Sequence, residues 1–419
     1  QGDDSGLSLS HEVLTAADRG VRVRILLDDI YHSGRDSAYQ TLNSHPNVQV
    51  RLFNPIGNRG AAKMPNYAFQ KSTFNYRMHN KIFLVDGVAA VLGGRNIGDE
   101  YFGRNTSFNF QDIDAITVGA VVNHVGEAFD LFWNSEFAIP VEVLRQKGLK
   151  LIDATQRSRL SAAREQVRSA DGAHAAGASH LTWLDTLSNG LLWTNARIIV
   201  DRPDRGGEYP DSAFTAFTED PELMPSSTVQ IQTAYLIPNG PMLGNLTALS
   251  TKGVDVRILT NSAASTNHGV VHAYYSKYRK QLLSENIELY EVQGTGALAT
   301  YLDRVGEDAH AGLHTKAMVV DERLSVIGSY NMDPRSRVWN SEIALVVDDA
   351  NFAAEVLQEM ERDFSPEAAW RLSLDEKESV VWTGESEGAE TQFHRDPGST
   401  WWDRLVWGIF RILPLENEL

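Results

Sequence analysis

The sequence predicts an α/β protein made of two homologous halves, each a mixed β-sheet flanked by helices, with an amphipathic helical segment at the C-terminus. The first observation is a duplication: the helix end, Gly turn and buried strand of Ala17–Leu27 recur at Ser250–Thr260. The second is that Asn47–Phe53 recurs at Asn286–Tyr290, so that the repeats lie 233 to 239 residues apart. This period is too long for a solenoid and favours two halves packed about a pseudo-twofold axis with one shared active-site cleft.

The composition excludes several classes of protein. The 419 residues include no cysteine, which rules out a disulfide framework, a thiolate metal site and a cysteine nucleophile. The formal net charge of −17 argues against a nucleic-acid coat or a polybasic membrane binder, because both need clustered Lys and Arg. No stretch reaches the roughly 20 apolar residues of a membrane-spanning helix.

Repeats and shifts in composition predict four regions: a first half at residues 1–149, a helical insertion and linker at 150–195, a second half at 196–365 and a C-terminal extension at 366–419. We expect a charged helix over Val141–Ala170, followed by a linker of small residues at Asp171–Gly177. The second half contains a strand-like run, Val229–Tyr235, whose first-half counterpart would lie before Gln1. We therefore expect a truncated first half and a removed anchor or targeting segment.

The C-terminal extension ends in a Trp-rich segment of helical periodicity, with Arg404 and Arg411 together on one face. Two alternatives are open for it. It is either a terminal helix docked on the core or an interfacial helix with Trp at the level of lipid headgroups. Its apolar positions are Trp401, Trp402, Leu405, Val406, Ile409, Phe410 and Leu413.

A pair of matching segments carries the chemistry. Met78–Asp86 with Gly93–Asn96, and Leu313–Asp321 with Gly328–Asn331, both obey H-x-K-x4-D-x6-G-x2-N without gaps. One short copy arises easily by chance and usually marks a strand edge. Two extended copies in a duplicated scaffold indicate a functional site.

Residues two apart in a strand share a face, so His79 and Lys81 point the same way, as do His314 and Lys316. If the halves pack about a pseudo-twofold axis, the two pairs meet in one cleft. Two imidazoles and two ammonium groups suit a phosphate diester, because one imidazole can attack while the other protonates the leaving oxygen.

The asparagines that end the two motifs, Asn96 and Asn331, add amide donors for the same phosphate. Two lysines can supply the charge stabilisation that many phosphoryl-transfer enzymes obtain from magnesium. The sequence has no H-E-x-x-H motif or other sharp ligand cluster, so we expect no metal and no cofactor.

Four acidic residues accompany the motifs. A nucleophilic histidine needs a carboxylate on its far ring nitrogen, and Asp112 and Glu342, at the start of equivalent later strands, are the candidates. Asp86 and Asp321 complete the predicted catalytic motifs. Because they end their strands, we expect them to hold turn and backbone geometry there.

Polar residues also follow strands in each half, where α/β proteins usually bind ligands. Asp28 and Asp29 in the first half and Asn261 in the second are candidates for holding acceptor hydroxyls, or are turn and capping residues. Headgroup contact is weighed against packing for three residues on one later helical face: His272, Tyr275 and Arg279.

These residues and motifs resemble the phospholipase D superfamily, which is marked by a duplicated His-Lys-Asp motif, over nearly the whole chain. Within it, four segments look like bacterial cardiolipin synthases, especially the C-type branch, and so does the closing Leu413–Glu416. The four segments are Leu27–Asp29, Gly93–Tyr101, Leu259–Ser262 and Gly328–Ser336.

The resemblance implies that a phosphatidyl group moves from a donor, phosphatidylglycerol or phosphatidylethanolamine, to a histidine of the enzyme and then to phosphatidylglycerol, giving cardiolipin. By motif position it implies that His79 is the nucleophile and His314 the acid and base, or the reverse. It also implies that the remaining motif residues hold the phosphate: Lys81, Lys316, Asn96 and Asn331. A bacterial inner-membrane location follows, peripheral or anchored through an N-terminal segment absent from this chain.

Other functions remain open from the sequence. The same site would serve phospholipid hydrolysis, or the chain could be an idle lipid-binding protein. A nuclease is disfavoured by the net charge and by the lack of a basic run interleaved with aromatics. The expected partners are phospholipids and a membrane surface contacted by the C-terminal helix, with no nucleic acid.

Overall fold

The computed structural model describes residues 2–30, 36–56, 75–144, 151–172, 185, 187–204, 212–220, 223–295, 310–386 and 388–419. The chain divides into two compact units. Unit 1 comprises residues 1–78, 97–102 and 129–194, and unit 2 comprises residues 79–96, 103–128 and 195–419. The predicted α/β class is confirmed. The predicted boundaries at 149, 195 and 365 stay predictions.

The helices, in chain order, are α1 (Asp4–Asp18), α2 (Asp36–Asn43), α3 (Val121–Trp133), α4 (Ala154–Gly172), α5 (Ala213–Thr218), α6 (Pro241–Thr251), α7 (Gly269–Tyr275), α8 (Arg279–Ser284), α9 (Pro334–Val338), α10 (Ala350–Asp363) and α11 (Trp401–Phe410). Short 3₁₀ turns occupy Asp99–Tyr101 and Glu416–Glu418.

The strands up to the middle of the chain are β1 (Val23–Asp28), β2 (Val48–Phe53), β3 (Arg77–Met78), β4 (Ile82–Val85), β5 (Ala89–Gly93), β6 (Phe108–Gln111), β7 (Asp114–Val118), β8 (Ala138–Pro140), β9 (Ala196–Val200) and β10 (Thr228–Thr233). The later strands are β11 (Asp255–Asn261), β12 (Glu288–Val292), β13 (His310–Leu313), β14 (Lys316–Val320), β15 (Leu324–Gly328), β16 (Asn340–Ser341), β17 (Ile343–Asp348), β18 (Ala369–Leu374), β19 (Val380–Ser386) and β20 (Ala389–Phe393).

Unit 1 contains a small sheet in the order β1-β2-β8, with β1 parallel and β8 antiparallel to β2. Its core is made of apolar side chains that include Ala17, Val48, Val50 and Val141. Helix α4 packs along α1, and Arg164 pairs with Glu12 at 2.6 Å across that contact.

The main sheet of unit 2 has ten strands among the described residues, in the order β20-β19-β18-β12-β11-β10-β14-β15-β17-β9. A separate antiparallel sheet, β4-β5-β7, repeats the pattern of β14-β15-β17. One apolar core includes Ala90 and Leu92 of β5 together with Ile327 of β15 and Leu345 of β17. Because interiors are close-packed, this shared core fixes both motif hairpins within one unit.

Both copies of the first repeat form the predicted helix end, turn and strand. Gly20 after α1 and Gly253 after α6 have φ values of 94° and 81°, in the left-handed region that favours glycine. The Gly20 N–H donates to Ala17 and the Gly253 N–H donates to Ser250, which ends each helix in the same way.

The helix expected over Val141–Ala170 is wrong at its start. Val141 is buried in the core of unit 1, and the helix begins at Ala154. Asp153 caps it, because its carboxylate accepts from the Gln156 N–H at 2.7 Å while the Gln156 side chain accepts from the Asp153 N–H. Most of the predicted linker lies outside the described residues.

Helix α11 forms at the C-terminus as predicted and lies against α7. Trp407 is buried against His272, with ring centroids 4.7 Å apart, whereas Trp401 and Trp402 on the other face are exposed. One face of α11 is therefore docked on unit 2, and the other face is exposed. No helix among the described residues has the length and apolarity needed to span a membrane.

Candidate active site

In unit 2, backbone hydrogen bonds join each motif histidine to the strand region that follows the other motif. The His79 N–H donates to the Ser341 carbonyl at 2.9 Å, and the His314 N–H donates to the Gln111 carbonyl at 2.7 Å. Strand β13 also pairs in parallel with β6, which ends at Gln111. Each of these carbonyls belongs to the residue directly before a predicted orienting carboxylate.

Each histidine side chain likewise contacts a carboxylate that follows the other motif. His79 Nδ1 lies 2.8 Å from Glu342 Oε2, and His314 Nδ1 lies 2.6 Å from Asp112 Oδ2. The carboxylate that binds each imidazole thus follows the other motif in sequence. With Nδ1 engaged by a carboxylate, Nε2 is the ring nitrogen suited to meet a substrate atom.

Each motif lysine folds back onto its own histidine. Lys81 Nζ donates to the His79 carbonyl at 2.7 Å, and Lys316 Nζ donates to the His314 carbonyl. Lys316 is buried, and burial lowers its pKa to about 8. Two ammonium groups therefore accompany the two imidazoles, as the sequence predicts.

The two histidine–carboxylate pairs differ electrostatically. The His79 side chain is 26% exposed and that of His314 is 5% exposed. Burial lowers the pKa of His79, and it lowers the pKa of His314 well below the ordinary value, with Lys316 and Lys81 adding to the effect.

The pKa values of the two carboxylates are shifted in opposite directions. Burial raises the pKa of Asp112 to about 7, although the charge of Lys316 opposes the rise. For Glu342, burial also raises the pKa, but the neighbouring His79 lowers it by a larger amount. The net pKa of Glu342 therefore lies below the ordinary value. Glu342 is therefore ionised at neutral pH, whereas Asp112 is able to hold a proton there.

Three residues that the sequence did not single out hold Glu342 in place. Ser329 Oγ donates to its carboxylate, as does Asn340 Nδ2 at 3.2 Å, and the Glu342 N–H donates to Asp201 at 2.9 Å. The sequence offered one signal for Ser329: in the aligned motifs it stands where the first copy has Gly94, so only the second copy has a hydroxyl at that position.

Neighbouring atoms approach the motif glycines so closely that a side chain would not fit. A Cβ on Gly94 would lie 2.5 Å from Asp112 Oδ1, and one on Gly93 would lie 2.0 Å from Asp114 Oδ1. In the second copy a Cβ on Gly328 would lie 2.3 Å from the Ile343 carbonyl. These glycines allow the strand of each carboxylate to lie directly against the motif.

One ion pair exists only in the first copy and was missed from the sequence. Arg95 Nε lies 2.9 Å from Asp114 Oδ2, and Arg95 Nη2 donates to the Asp112 carbonyl at 2.8 Å. Burial raises the pKa of Asp114, and Arg95 opposes that rise. The second copy has Tyr330 and Ala344 at these positions, and Tyr330 stacks on Phe214.

The predicted phosphate-binding asparagines lie beside the motif strands. Asn331 is buried, its N–H donates to Ser336 Oγ at 3.2 Å, and its side-chain Oδ1 has no hydrogen-bond partner within the described part of the chain. Asn96 is half-buried. An unsatisfied buried amide oxygen is unusual in a protein interior.

The motif aspartates sit in tight turns. Asp86 and Asp321 both have positive φ, 52° and 49°, at the first turn position between their strands. The carboxylate of Asp321 accepts from the backbone N–H groups of Ser226, Ser227 and Thr228. Burial raises its pKa, but these hydrogen bonds lower the net value below the ordinary one. This geometry supports the turn-holding interpretation of both residues.

The three candidate acceptor-binding residues make backbone contacts. In unit 1, Asp28 accepts from the Met78 N–H at 2.9 Å and Asp29 accepts from the Ile56 N–H at 2.8 Å. In unit 2, Asn261 is buried and bridges Ala234 to both backbone groups of Leu313. These contacts favour the turn and capping alternative over binding of acceptor hydroxyls.

The face containing His272 and Arg279 forms a buried ionic cluster, so the packing alternative holds there. Arg279 lies 2.6 Å from Glu291 and 2.7 Å from Asp396, and His272 lies 3.0 Å from Asp396. Tyr275 donates to Glu291. The cluster ties the C-terminal extension to α7 and α8. Within the described residues, no group of three or more His, Asp or Glu is arranged to hold a metal ion.

Sequence comparison identifies relatives along the whole chain. A protein-family model described as "Cardiolipin synthase, PLD-like domain" matches residues 6–133 and 223–364. Cardiolipin synthase C of Escherichia coli K12 is 33% identical, over 99% of this chain and 88% of that protein. Cardiolipin synthase A of Pseudomonas entomophila is 26% identical, over 86% of this chain and 61% of that protein.

Structural comparison supports the fold. The crystal structure of phosphatidylserine synthase from Haemophilus influenzae Rd KW20 superimposes with a TM-score of 0.50 at 16% sequence identity. The match covers 86% of this chain and 85% of that chain.

Proposed function

This chain belongs to the cardiolipin synthase family of phospholipase D-like proteins, and on that basis we propose that it makes cardiolipin by transferring a phosphatidyl group to phosphatidylglycerol. It is an enzyme of the phosphatidyltransferase type. The proposed donor is phosphatidylglycerol or phosphatidylethanolamine, and the proposed intermediate is a phosphohistidine.

The observation that carries the proposal is the crossed pairing of His79 with Glu342 and of His314 with Asp112. Two oriented imidazoles beside two lysines supply a nucleophile, a proton donor and positive charge for one phosphate diester. Such a set supports displacement in two steps, with the phosphoryl group held on the enzyme between them.

We assign the nucleophile to His79. Its ring is the more exposed of the two, and its ionised partner Glu342 would stabilise the positive charge that develops as Nε2 attacks phosphorus. The phosphorus–oxygen bond to the leaving alcohol breaks, and His314 protonates that oxygen. In the second step His314 takes the proton of the acceptor hydroxyl, which attacks phosphorus and displaces Nε2 of His79.

Lys81, Lys316, Asn96 and Asn331 are proposed to hold the non-bridging oxygens of the phosphate. Both lysines lie on the carbonyls of the motif histidines, and this placement supports the role. Their charges match the anionic transition state. Hydrolysis is the second candidate function, because water can replace the alcohol in the second step at the same residues.

We propose a peripheral location on the bacterial inner membrane, with contact through α11. Trp401 is 69% exposed and Ile412 is 84% exposed, and the apolar face continues through Trp402, Leu405 and Ile409. Trp at one end of an amphipathic helix suits the headgroup region of a bilayer. Arg411 is used to dock the helix, because it donates to Ala273 and Ser276 of α7 and its following turn.

The test is incubation of the purified chain with phosphatidylglycerol, with and without phosphatidylethanolamine, in EDTA, followed by mass spectrometry of the lipids. Cardiolipin is the expected product, and isotope-labelled headgroups identify the donor. Phosphatidic acid without cardiolipin would contradict the transfer proposal and favour hydrolysis.

Variants test the residue assignments. His79→Ala and His314→Ala should each abolish turnover, and only His314→Ala should still allow the enzyme to trap a labelled phosphatidyl group when the donor carries a good leaving group. Trapping by His79→Ala instead would reverse the assignment of the two histidines.

A further inference from the structure

The segment Leu413–Leu419 contacts two parts of unit 2, one at α7 and one at α9. On α7 and its following turn, Lys277 pairs with Glu416 at 2.9 Å, and the hydroxyl of Tyr278 donates to the same carboxylate. The hydroxyl of Tyr274 also donates to the Leu413 carbonyl. The segment Leu413–Leu419, called the tail below, is thus fixed beside α7.

The other end of the tail binds α9. Trp339 Nε1 donates to the Asn417 carbonyl at 2.9 Å, Arg335 Nη1 donates to the Glu418 carbonyl at 3.1 Å, and the Arg335 N–H donates to the Leu419 carbonyl at 2.7 Å. Three donors of α9 and the residue after it are therefore satisfied by the tail. A helix of only five residues has few internal hydrogen bonds, so contacts of this kind matter for its position.

Helix α9 in turn positions Asn331. Its Ser336 hydroxyl accepts from the Asn331 N–H at 3.2 Å, and the Ser336 N–H donates to the cap residue Asp333 at 2.7 Å. The side chain of Asn331 is buried, and its Oδ1 has no hydrogen-bond partner among the described residues. The orientation of this amide therefore depends on the backbone that α9 holds.

We propose that the tail is a positioning segment of the active site: it holds α9, and through α9 it holds Asn331, in the arrangement that binds the substrate phosphate. The proposal rests on the phosphate-binding role given to Asn331 under the proposed function. Because the tail directly continues α11, seating of α11 on a lipid surface restrains the tail as well. Lipid contact and phosphate binding are then coupled through one continuous segment, Trp401–Leu419.

Two variants separate the tail from the rest of the fold. The first deletes Glu416–Leu419, and the second, Trp339→Phe, keeps the ring and removes only the Nε1 donor to Asn417. Trp193→Phe is the matched control, because Trp193 is 81% exposed and lies far from the tail in sequence. The substrate is short-chain phosphatidylglycerol below its micelle concentration, so that binding to a membrane plays no part in turnover.

Two readouts are measured on the full chain and each variant: amide hydrogen exchange at Asn331 and turnover of the soluble substrate. We expect exchange at Asn331 to quicken and kcat to fall, each by about tenfold for the loss of one or two such hydrogen bonds. Trp193→Phe should stay within about twofold of the parent chain in both. Vesicles of phosphatidylcholine, which is not a proposed substrate, should slow exchange at Asn331 in the parent chain but not in the deletion variant.

Unchanged exchange at Asn331 in both variants overturns the proposal, and so does faster exchange with an unchanged kcat. If the deletion variant fails to fold, Trp339→Phe decides between these outcomes. Hydrogen exchange at Asn331 can be measured without turnover. If the chain makes no cardiolipin but the variants still exchange faster at Asn331, the proposed function is contradicted and the restraint by the tail is not.

Discussion

At the residue scale, Gly94 determines whether Asp112 can reach His314. A methyl group at Gly94 would lie 2.5 Å from Asp112 Oδ1, and the carboxylate would have to move. We expect Gly94→Ala to lower kcat by about 10²-fold, because misplacement of about 1 Å in a site has effects of this size. Steady-state kinetics with circular dichroism to verify folding provide the measurement.

Gly126 of α3 is the matched control for this substitution. A methyl group at Gly126 would lie 3.7 Å from Leu84 Cδ2, which is an ordinary contact. Gly126→Ala should leave kcat unchanged and raise the free energy of unfolding by about 0.5–1 kcal/mol, since alanine favours the helix. Equal kcat in the two variants would show that Gly94 has no special role.

The pH dependence of the reaction follows from the two histidine–carboxylate pairs. The nucleophile His79 must be neutral, and since burial lowers its pKa, kcat/KM should decline only below about pH 6.5. His314, the acid, must give a proton to the leaving oxygen, and Asp112 can supply it through the hydrogen bond to His314 Nδ1. Because burial raises the pKa of Asp112 to about 7, activity should also decline above about pH 7.

The substitution Asp112→Asn tests the origin of the alkaline decline. The amide cannot pass a proton to His314, so we expect kcat to fall by about 10²-fold or more and the alkaline decline near pH 7 to disappear. Glu342→Gln should also lower kcat but keep that decline. A pH–rate profile in which Asp112→Asn keeps the decline would assign it to another group.

The sequence was sufficient to predict the individual candidate site residues but not their pairing. The repeated spacing identified His79, His314 and the two carboxylates Asp112 and Glu342. The hydrogen-bonded partners are 263 and 202 residues apart, and only the fold brings each carboxylate to the histidine of the other motif. Ser329 and Asp201 were missed because single Ser and Asp residues have no distinctive spacing.

At the element scale, we expect the final aspartate of each motif to stabilise a hairpin. Asp321 accepts three backbone N–H groups from Ser226–Thr228 and also lies in a positive-φ turn. Asp86 has the same turn conformation, without such hydrogen bonds to the described residues. We expect Asp321→Ala to lower the free energy of unfolding by about 1–3 kcal/mol, the usual effect of unpairing such donors. Urea denaturation measures this quantity.

The sign of the pH effect is fixed by the depressed pKa of Asp321. The ionised carboxylate stabilises the fold above its ordinary pKa of about 4, and that contribution is lost as the pH falls through the lower folded value. The difference in stability between the parent chain and Asp321→Ala should therefore shrink on acidification. Asp86→Asn, which keeps a side chain that tolerates positive φ, should cost less.

Element boundaries show where sequence periodicity is insufficient. The charged pattern of Val141–Ala170 indicated a helix, but Val141 is required in the core of unit 1 and the reciprocal cap of Asp153 and Gln156 sets the helix start at Ala154. The two Gly turns were predicted correctly because a local φ requirement determines them. Burial of Val141 in the core caused the error at the start of the predicted helix, whereas the Asp153-x-x-Gln156 pattern was a local signal of the true start.

At the scale of the whole molecule, the net charge of −17 and the exposed face of α11 have opposite effects on binding to an anionic membrane. The charge repels phosphatidylglycerol, whereas burial of Trp401 and Trp402 in the headgroup region favours binding. Arg411 already donates to α7 and its following turn, so the helix lacks a large basic face that could overcome the repulsion. Binding should therefore be driven mainly by apolar contact.

Salt separates this mechanism from polybasic attraction. Raising the ionic strength from about 0.05 to 0.5 M shortens the Debye length below about 5 Å, which screens the repulsion between the chain and anionic vesicles. We expect cosedimentation with phosphatidylglycerol vesicles to stay constant or increase, whereas attraction through basic residues would make it decrease. Trp401→Ser combined with Trp402→Ser should reduce binding by at least about tenfold at every salt concentration, because two large apolar side chains leave the interface. Trp193→Ser, which removes an even more exposed Trp elsewhere in the chain, should have little effect. Binding that instead collapses at high salt would mean that electrostatic attraction holds the enzyme on its membrane.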